Sequence, residues 1–500
     1  MGSKKTLILL GSIVFLLYVP FLGNAFVSDD IQGIVQQVPT WTWLRALGWP
    51  SFIHLNVLLQ YLLSLLFGLV PWPFRLLNIL VHTGSVVLVY LLVTRISQHP
   101  RIGFVAALVF AVHPLVIESV TWISGGVYSL YSLFFLFSLY LYILASKKHW
   151  LYVGSLVSFL LSLCTSEKAI SLVFVFIVYE WFFGTLKQQW KKLIPFFVLS
   201  SSLILFYGLR IGERMHALAT TSYQPIAGLY NPFVQIPIAV SSYLSLFVFP
   251  TGLTLYHSEL SFAWWDFLLR VLVTLGFVGC TIYTFVKRKA IGFWLCWFFI
   301  ALVPMLTPFK VGWIVAERYV YLGLIGLCAV GGILFDVVMH RKRWYVPAVL
   351  VGCLAIMFFC TQTVRRNSEW RNEDTLWVAT AKTSPSHPAT WNNMGDVYAR
   401  HGDQQQAARM FLKAIALNPQ YADAYHNLGA SYLRMRKFPE AKQRYAQALS
   451  MYPALWQSYR DLAVIAYEEH DVQMAKTYLG QALQFVPNDP ILLKLQSLMQ

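Results

Sequence analysis

Two adjacent carboxylates, Asp29 and Asp30, follow directly on the first long apolar run of this chain. A carboxylate just beyond the end of an apolar segment is partly desolvated yet within reach of water, a setting in which it can act as a base or hold a cation. The competing reading is that Ser28 or Asp29 caps an interfacial helix running through Ile31 and Ile34. These three residues leave both readings open, so the rest of the chain has to decide.

Other ionisable residues interrupt apolar stretches where they are costly, and each is a candidate for function on that ground. His113 and Glu118 lie in the run His113-Pro114-Leu115-Val116-Ile117-Glu118-Ser119; Glu167-Lys168, Arg210 and Glu317-Arg318 stand at the ends of later apolar segments. Taken singly, Glu167-Lys168 and Glu317-Arg318 also read as solvated surface pairs, and His113 as a hydrogen-bonded core histidine. Buried cations of this kind suit a phosphate, which a planar guanidinium grips through two oxygens at once.

The elements that carry these residues are membrane spans. With 57% hydrophobic and 12% charged residues the chain lies outside the range of soluble domains. About 20 apolar residues cross a bilayer, and eleven stretches qualify: 6–26, 75–96, 102–121, 127–146, 150–166, 169–185, 193–210, 264–286, 290–308, 317–338 and 344–362. The first has a short basic start, Lys4-Lys5, and no clear cleavage site, which reads as a retained signal anchor. Residues 40–71, rich in tryptophan, and 234–250, between Pro232 and Pro250, read as helices lying in or dipping into one leaflet.

Lysine and arginine collect on the cytoplasmic side. Lys4-Lys5, Arg95 with Arg101, Lys147-Lys148, Lys187 with Lys191-Lys192, Lys287-Arg288-Lys289 and Arg341-Lys342-Arg343 all fall there on one alternating path. Arg365-Arg366 is the main exception. The path puts Asp29-Asp30, the 211–263 segment and the C-terminal tail together outside. The net charge of +16 is thus a matter of topology, not of nucleic-acid binding. The six cysteines lie in apolar segments without CxxC spacing, which excludes a zinc motif or disulfide scaffold.

Beyond the last span the chain turns polar and repeats every 34 residues: Pro419, Pro453 and Pro487; Gly395, Gly429 and Ala463; Ala407, Ala441 and Ala475; Ala414, Ala448 and Ala482. This is the tetratricopeptide pattern, in which small residues let two helices approach, large ones fill between them, and proline ends the unit. Asn393, Asn427 and Asp461 recur at the same period. Their side chains either hold the backbone of an extended acceptor peptide or tie the helices of the array together. The expected domains are 1–364, a multi-spanning body with external loops 28–74 and 211–263; 365–388, a connector or degenerate repeat; and 389–500, three repeats.

The acid pair after span one, Phe74 to His82 opening span two, His113-Pro114 with Glu118 and Ser119, Leu133 to Ser138, Glu167 with Ile170, Glu317 to Leu322 and the terminal repeats together resemble the transmembrane and tetratricopeptide-repeat protein O-mannosyltransferases. The resemblance covers nearly the whole chain and rests on order and spacing. It implies an all-α fold, a polytopic helical bundle like the class C glycosyltransferases with a tetratricopeptide solenoid after it. It further implies transfer of a sugar from a polyprenyl-phosphate donor to a serine or threonine of a protein on the external face. By position Asp29 and Asp30 match the family's acidic pair, Glu118 its third-span glutamate and Arg318 its tenth-span arginine. In the implied mechanism Asp30 takes the acceptor proton, Asp29 orients the acceptor or holds a divalent cation such as Mg2+ or Mn2+, and inversion results. Arg318, with Lys168 or Arg210, meets the leaving phosphate, and Glu118 and His113 join the donor side. Implied partners are the lipid-linked sugar, an acceptor protein on the repeats and membrane lipid. The implied setting is a bacterial inner membrane with site and repeats periplasmic, or the endoplasmic reticulum with luminal repeats in a eukaryote.

The chain departs from the family at Gly125-Gly126-Val127-Tyr128, where a Gly-Arg-x-Asp stretch is common, at Arg75, where histidine is usual, and near Ile53-His54, where an arginine-proline pair is expected. Alternatives from other classes are a non-enzymatic scaffold that displays the repeats and a polysaccharide ligase or polymerase.

Overall fold

The computed structural model describes residues 3–48, 54–145, 148–184, 186–209, 231–260, 262–306, 313–487 and 489–498. Among them secondary structure is helical throughout, and the fold class is the all-α one expected. Contacts divide the chain into two compact units, one of Met1–Leu209 with Gly228–Leu376, the other including Trp377–Gln500. The division falls inside the expected 365–388 connector.

The first unit is a bundle of apolar helices: α1 (Ser3–Tyr18), α2 (Leu55–Phe67), α3 (Pro71–Ser97), α4 (Pro100–Val112), α5 (Gly126–Leu144), α6 (His149–Thr165), α7 (Val173–Phe182), α8 (Leu186–Leu209), α9 (Pro232–Val248), α10 (Trp264–Val286), α11 (Ala290–Leu302), α12 (Tyr321–Met339) and α13 (Tyr345–Glu369). Among the described residues seven helices, those at α1, α3, α5, α8, α10, α12 and α13, are long and apolar enough to cross a membrane, which makes this a multi-pass membrane protein. Each of the eleven expected spans has a helical counterpart. Those at 150–166, 169–185 and 290–308 are shorter, with α6, α7 and α11 running 17, 10 and 13 residues. The two stretches read as lying in a leaflet form α2 and α9, of 13 and 17 residues.

The expected span 102–121 is broken. Proline disfavours helical backbone in the residue before it, and His113 is extended at φ −73° and ψ 128°. Helix α4 therefore stops at Val112, and a tight turn from Pro114 leads into Ile117–Val120 at a 60° bend. Similar 3-10 turns, Glu167–Leu172 and Glu317–Val320, precede α7 and α12. Glu118, in the short helix after the first turn, and Glu167-Lys168 and Glu317-Arg318, within the other two, lie at these breaks, where side chains can leave the lipid-facing cylinder.

The second unit is built of helix pairs: α15 (Pro388–Arg400) with α16 (Gln404–Leu417), α17 (Ala422–Arg434) with α18 (Phe438–Met451), and α19 (Trp456–Glu468) with α20 (Val472–Phe485), followed by α21 (Pro490–Leu498). Helix α14 (Glu373–Thr383) leads into them. The periodic alanines are fully buried. A Cβ on Gly395 would lie 2.4 Å from the Phe411 ring, and one on Gly429 2.8 Å from Tyr445, so glycine at this position is what lets paired helices close on an aromatic ring.

Candidate active site

The acid pair sits on a loop that is held from two sides. Arg75, in the first turns of α3, is 1% exposed and gives every arm of its guanidinium to backbone carbonyls. Nη1 donates to Leu22 at 2.9 Å and Asn24 at 2.7 Å, Nη2 to Ala25 at 3.1 Å, and Nε to Thr121 at 2.9 Å. A lysine has no planar fork to reach four carbonyls at once. The end of α13 and the stretch after it close the other side. The Ala25 amide donates to the Arg371 carbonyl at 2.9 Å, the Asn24 amide group to Asn367 at 3.2 Å, and the Ser28 amide to Glu373 Oε1 at 2.5 Å. Ser28 is thereby held at φ 55°, the left-handed region, which costs about 1–2 kcal/mol for a residue other than glycine.

Beyond that strained residue the two carboxylates separate. Asp30 is fully buried, and its Oδ1 accepts from the Ser124 amide at 2.7 Å and from the Ser124 hydroxyl. Its Oδ2 faces the Val27 amide at 3.4 Å. Asp30 makes no side-chain cap to the helical turn Ile31–Gln36 that follows it. Burial pushes its carboxyl up to about 6 against the pull of Ser124, Val27 and Arg75. Asp29 is exposed. The protein packed around its base raises its carboxyl above the usual range; Arg318 and the Ser28 hydroxyl work the other way, and Glu373 adds to the rise.

At the same end of the bundle lies a buried ionic network. Arg318 Nη1 donates to Glu118 Oε2 at 3.0 Å, and its amide donates to the same oxygen at 3.1 Å. Arg366, near the end of α13, reaches Glu317 at 3.3 Å, Glu118 at 3.9 Å and Glu369 at 2.8 Å. Glu317 also accepts from the Thr254 amide at 2.6 Å and has His257 at 3.7 Å. Trp122 and Tyr319 flank the Arg318 guanidinium at 5.3 and 5.1 Å. From there Tyr319 leads to Tyr128, 5.8 Å between rings, over which Lys168 Nζ sits at 5.3 Å while pairing with Glu167 at 3.3 Å.

Asp29, Asp30, Glu118, Arg318 and Lys168 thus gather in one region. His113 is fully buried, with Nε2 3.0 Å from the Phe247 carbonyl, Nδ1 facing the Leu115 amide at 3.2 Å, and the Phe247 and Phe359 rings on it. Arg210 lies outside the described residues, as do Lys147, Ile53 and residues 211–230 of the external loop. In the repeats Asn427 donates to Asn392 at 3.0 Å, and Asp461 accepts from Tyr445 at 3.0 Å and Arg460 at 2.8 Å, both inside the array; Asn393 is half-buried. Among the described residues no group of three or more His, Cys, Asp or Glu side chains is placed to hold a metal ion.

Ser124, Arg366 and Glu373 join the site without having been candidates. Arg366 did leave a signal, as half of the main basic cluster on the wrong side of the charge path. The departure at Gly125-Gly126 also has a structural reason. A Cβ on Gly125 would lie 1.8 Å from the Glu118 carbonyl, and one on Gly126 2.1 Å from Asn78 Oδ1.

Fold and site together define a multi-pass membrane protein with an acid pair and a buried ionic network at one end of its bundle, followed by a tetratricopeptide array. Family models described as "TPR repeat" and "Tetratricopeptide repeat" match residues 395–435 and 422–452. Over most of its length the chain is similar to protein O-mannosyl-transferases. Protein O-mannosyl-transferase TMTC3 of Mus musculus is 26% identical over 467 residues, covering 82% of this chain and 51% of that one. Protein O-mannosyl-transferase F38B6.6 of Caenorhabditis elegans is 24% identical, covering 83% and 63%. The chain spans about half the length of the TMTC3 relatives it matches. Among solved structures it is similar to the Archaeoglobus fulgidus oligosaccharyltransferase, with 13% identity, 73% of this chain and 56% of that one covered, and a TM-score of 0.44.

Proposed function

We propose that this protein is a membrane glycosyltransferase that moves a sugar, mannose by its relatives' name, from a polyprenyl phosphate to a serine or threonine hydroxyl of a protein on the external face. The observation that carries the reading is the unequal acid pair: an open Asp29 beside a buried Asp30 held by Ser124, with the Arg318 charge acting on Asp29.

On this reading the two groups divide the labour according to their exposure. Asp29 is the base that accepts the acceptor hydroxyl proton, since a base must reach the proton it removes. Asp30, closed off from solvent, fixes the turn that aims Asp29. As the proton leaves, the hydroxyl oxygen bonds to the anomeric carbon from the side opposite the lipid phosphate, and the carbon–oxygen bond to that phosphate breaks with inversion. Negative charge grows on the departing phosphate, and Arg318, aided by Lys168, stabilises it, an effect that acts on turnover more than on binding. Glu118 holds Arg318 in place, and His113 is a core residue that seals the bend of α4. The repeats recruit the acceptor, with Asn393 the position of the periodic set that faces it; Asn427, bonded to Asn392, and Asp461 serve the array itself.

A scaffold that merely displays the repeats has no need of two arginines buried among carboxylates at the acid-bearing end of the bundle. The test is an assay of the purified full chain with polyprenyl-phosphate mannose and with nucleotide-linked mannose, each radiolabelled, together with a serine- and threonine-rich protein. Label passing to protein from the lipid donor alone, in the anomeric configuration opposite to the donor's, is the expected result. Transfer from the nucleotide sugar instead contradicts the reading of the donor.

A further inference from the structure

At the end of the bundle opposite the acid pair, α13 leaves a deep apolar groove. The residues it buries, Phe359, Thr363, Arg366 and Asn367, all lie in its second half. In its first half Val346, Leu350, Leu354 and Met357 are 59–61% exposed. Beneath that half runs a cavity of about 790 Å³, walled by Phe104 and Leu108 of α4, Phe335 of α12 and Ile356 of α13, with Gly331 and Gly352 giving it depth. A Cβ on Gly331 would meet nothing closer than the Phe247 ring edge at 4.0 Å.

Two charged residues line this groove, and they differ. Asp336 pairs with His340 at 3.6 Å, whereas Arg101 stands exposed. The same helix ends carry Lys4 and Lys5 in the first turn of α1, Arg95 at the end of α3 and Arg341-Lys342-Arg343 between α12 and α13. An apolar slot at membrane depth, opening on a guanidinium within a basic rim, matches a molecule with a hydrocarbon tail and an anionic head. Basic residues at a membrane surface favour anionic lipids by about 1 kcal/mol each, or about fivefold. We infer that this groove is a binding site for one anionic phospholipid, with an acyl chain between α4, α12 and α13 and its phosphate at Arg101. The lipid supplies the packing that the first half of α13 lacks. The inference stands on this groove alone and is independent of the reaction proposed above.

The full chain, stripped in detergent and then given dioleoyl phosphatidylglycerol, dioleoyl phosphatidylcholine or soluble glycerol 1-phosphate, tests it. Phosphatidylglycerol should raise the thermal midpoint and stay bound through gel filtration, in native mass spectra, about fivefold more than phosphatidylcholine; glycerol 1-phosphate should do nothing. Arg101→Gln should remove the preference and keep the lipid, and Gly331→Leu should expel both lipids by filling the slot. Equal retention of the two lipids by the wild-type chain overturns the headgroup assignment, and that measurement needs no variant to fold. A shift with glycerol 1-phosphate equal to that with phosphatidylglycerol points to a soluble phosphate ligand and overturns the lipid. Dimers of the stripped chain that Gly331→Leu abolishes make the groove a helix-docking face, and also overturn it.

Discussion

Two neighbouring aspartates in one loop end up with opposite surroundings, and the difference is measurable. Folding raises the Asp30 carboxyl from its ordinary value to about 6. The folded chain therefore binds more protons than the unfolded chain between roughly pH 4 and that value, and stability falls as pH rises through this window, by about 3 kcal/mol in all. Asp30→Asn keeps an acceptor for Ser124 and removes the charge, so its thermal midpoint in detergent should be nearly flat over that range and above wild type at neutral pH. For Asp29 burial is the main cause of the rise, and Glu373 adds to it through its charge while its Oε1 holds the Ser28 amide. Glu373→Gln keeps the acceptor and drops the charge. The acid limb of the pH–rate profile should move to lower pH with maximal turnover retained; an unmoved limb means that Asp29 does not titrate in the reaction. The residue types in Asp29-Asp30 were legible in the sequence, but their roles were not, because exposure is set by Ser124, 94 residues away.

At the scale of elements, the helices followed from hydropathy, whereas their breaks decide the site. Hydropathy averages over a window, so 102–121 reads as one span although Pro114 bends it and turns Glu118 inward. The same averaging leaves Arg366 looking like a loop charge on the wrong side of the membrane. It lies within α13, where Glu317, Glu118 and Glu369 neutralise it, and so it does not bear on orientation. Arg366→Gln strands buried carboxylates and should cost about 3–5 kcal/mol. Its neighbour Arg365, 75% exposed and 3.8 Å from Glu369, should change stability by no more than about 0.5 kcal/mol when made Gln. Chemical or thermal denaturation of the two variants side by side checks the contrast; equal losses mean that the network is not what holds the end of α13. Arg75, a departure from the family by residue type, proves to be the clamp of the acid loop. Nothing in a single sequence reports which carbonyls a buried guanidinium will find.

For the whole molecule, the 34-residue period made the repeat array legible almost residue by residue, since each unit packs mainly on its neighbours. The bundle was legible as a class, but the network joining residues 118, 317 and 366 was not, because it depends on contacts far apart in sequence. The charge path expects the acid pair and the repeats on one external side. In a chain whose six native cysteines are replaced by alanine, a cysteine introduced at exposed His401 should react with an impermeant maleimide from outside in intact cells, and one at exposed Lys289 only after lysis. The reverse pattern puts the repeats in the cytoplasm and ends their proposed role in delivering an acceptor. Sugar transfer from polyprenyl-phosphate mannose to protein by the purified wild-type, Asp29→Asn and Asp30→Asn chains, each shown folded by its thermal midpoint, tests the assignment of Asp29 as the base. Asp29→Asn should lower turnover by at least about 10²-fold, the scale of a lost general base, and Asp30→Asn should retain measurable transfer. Undiminished transfer by Asp29→Asn contradicts that assignment.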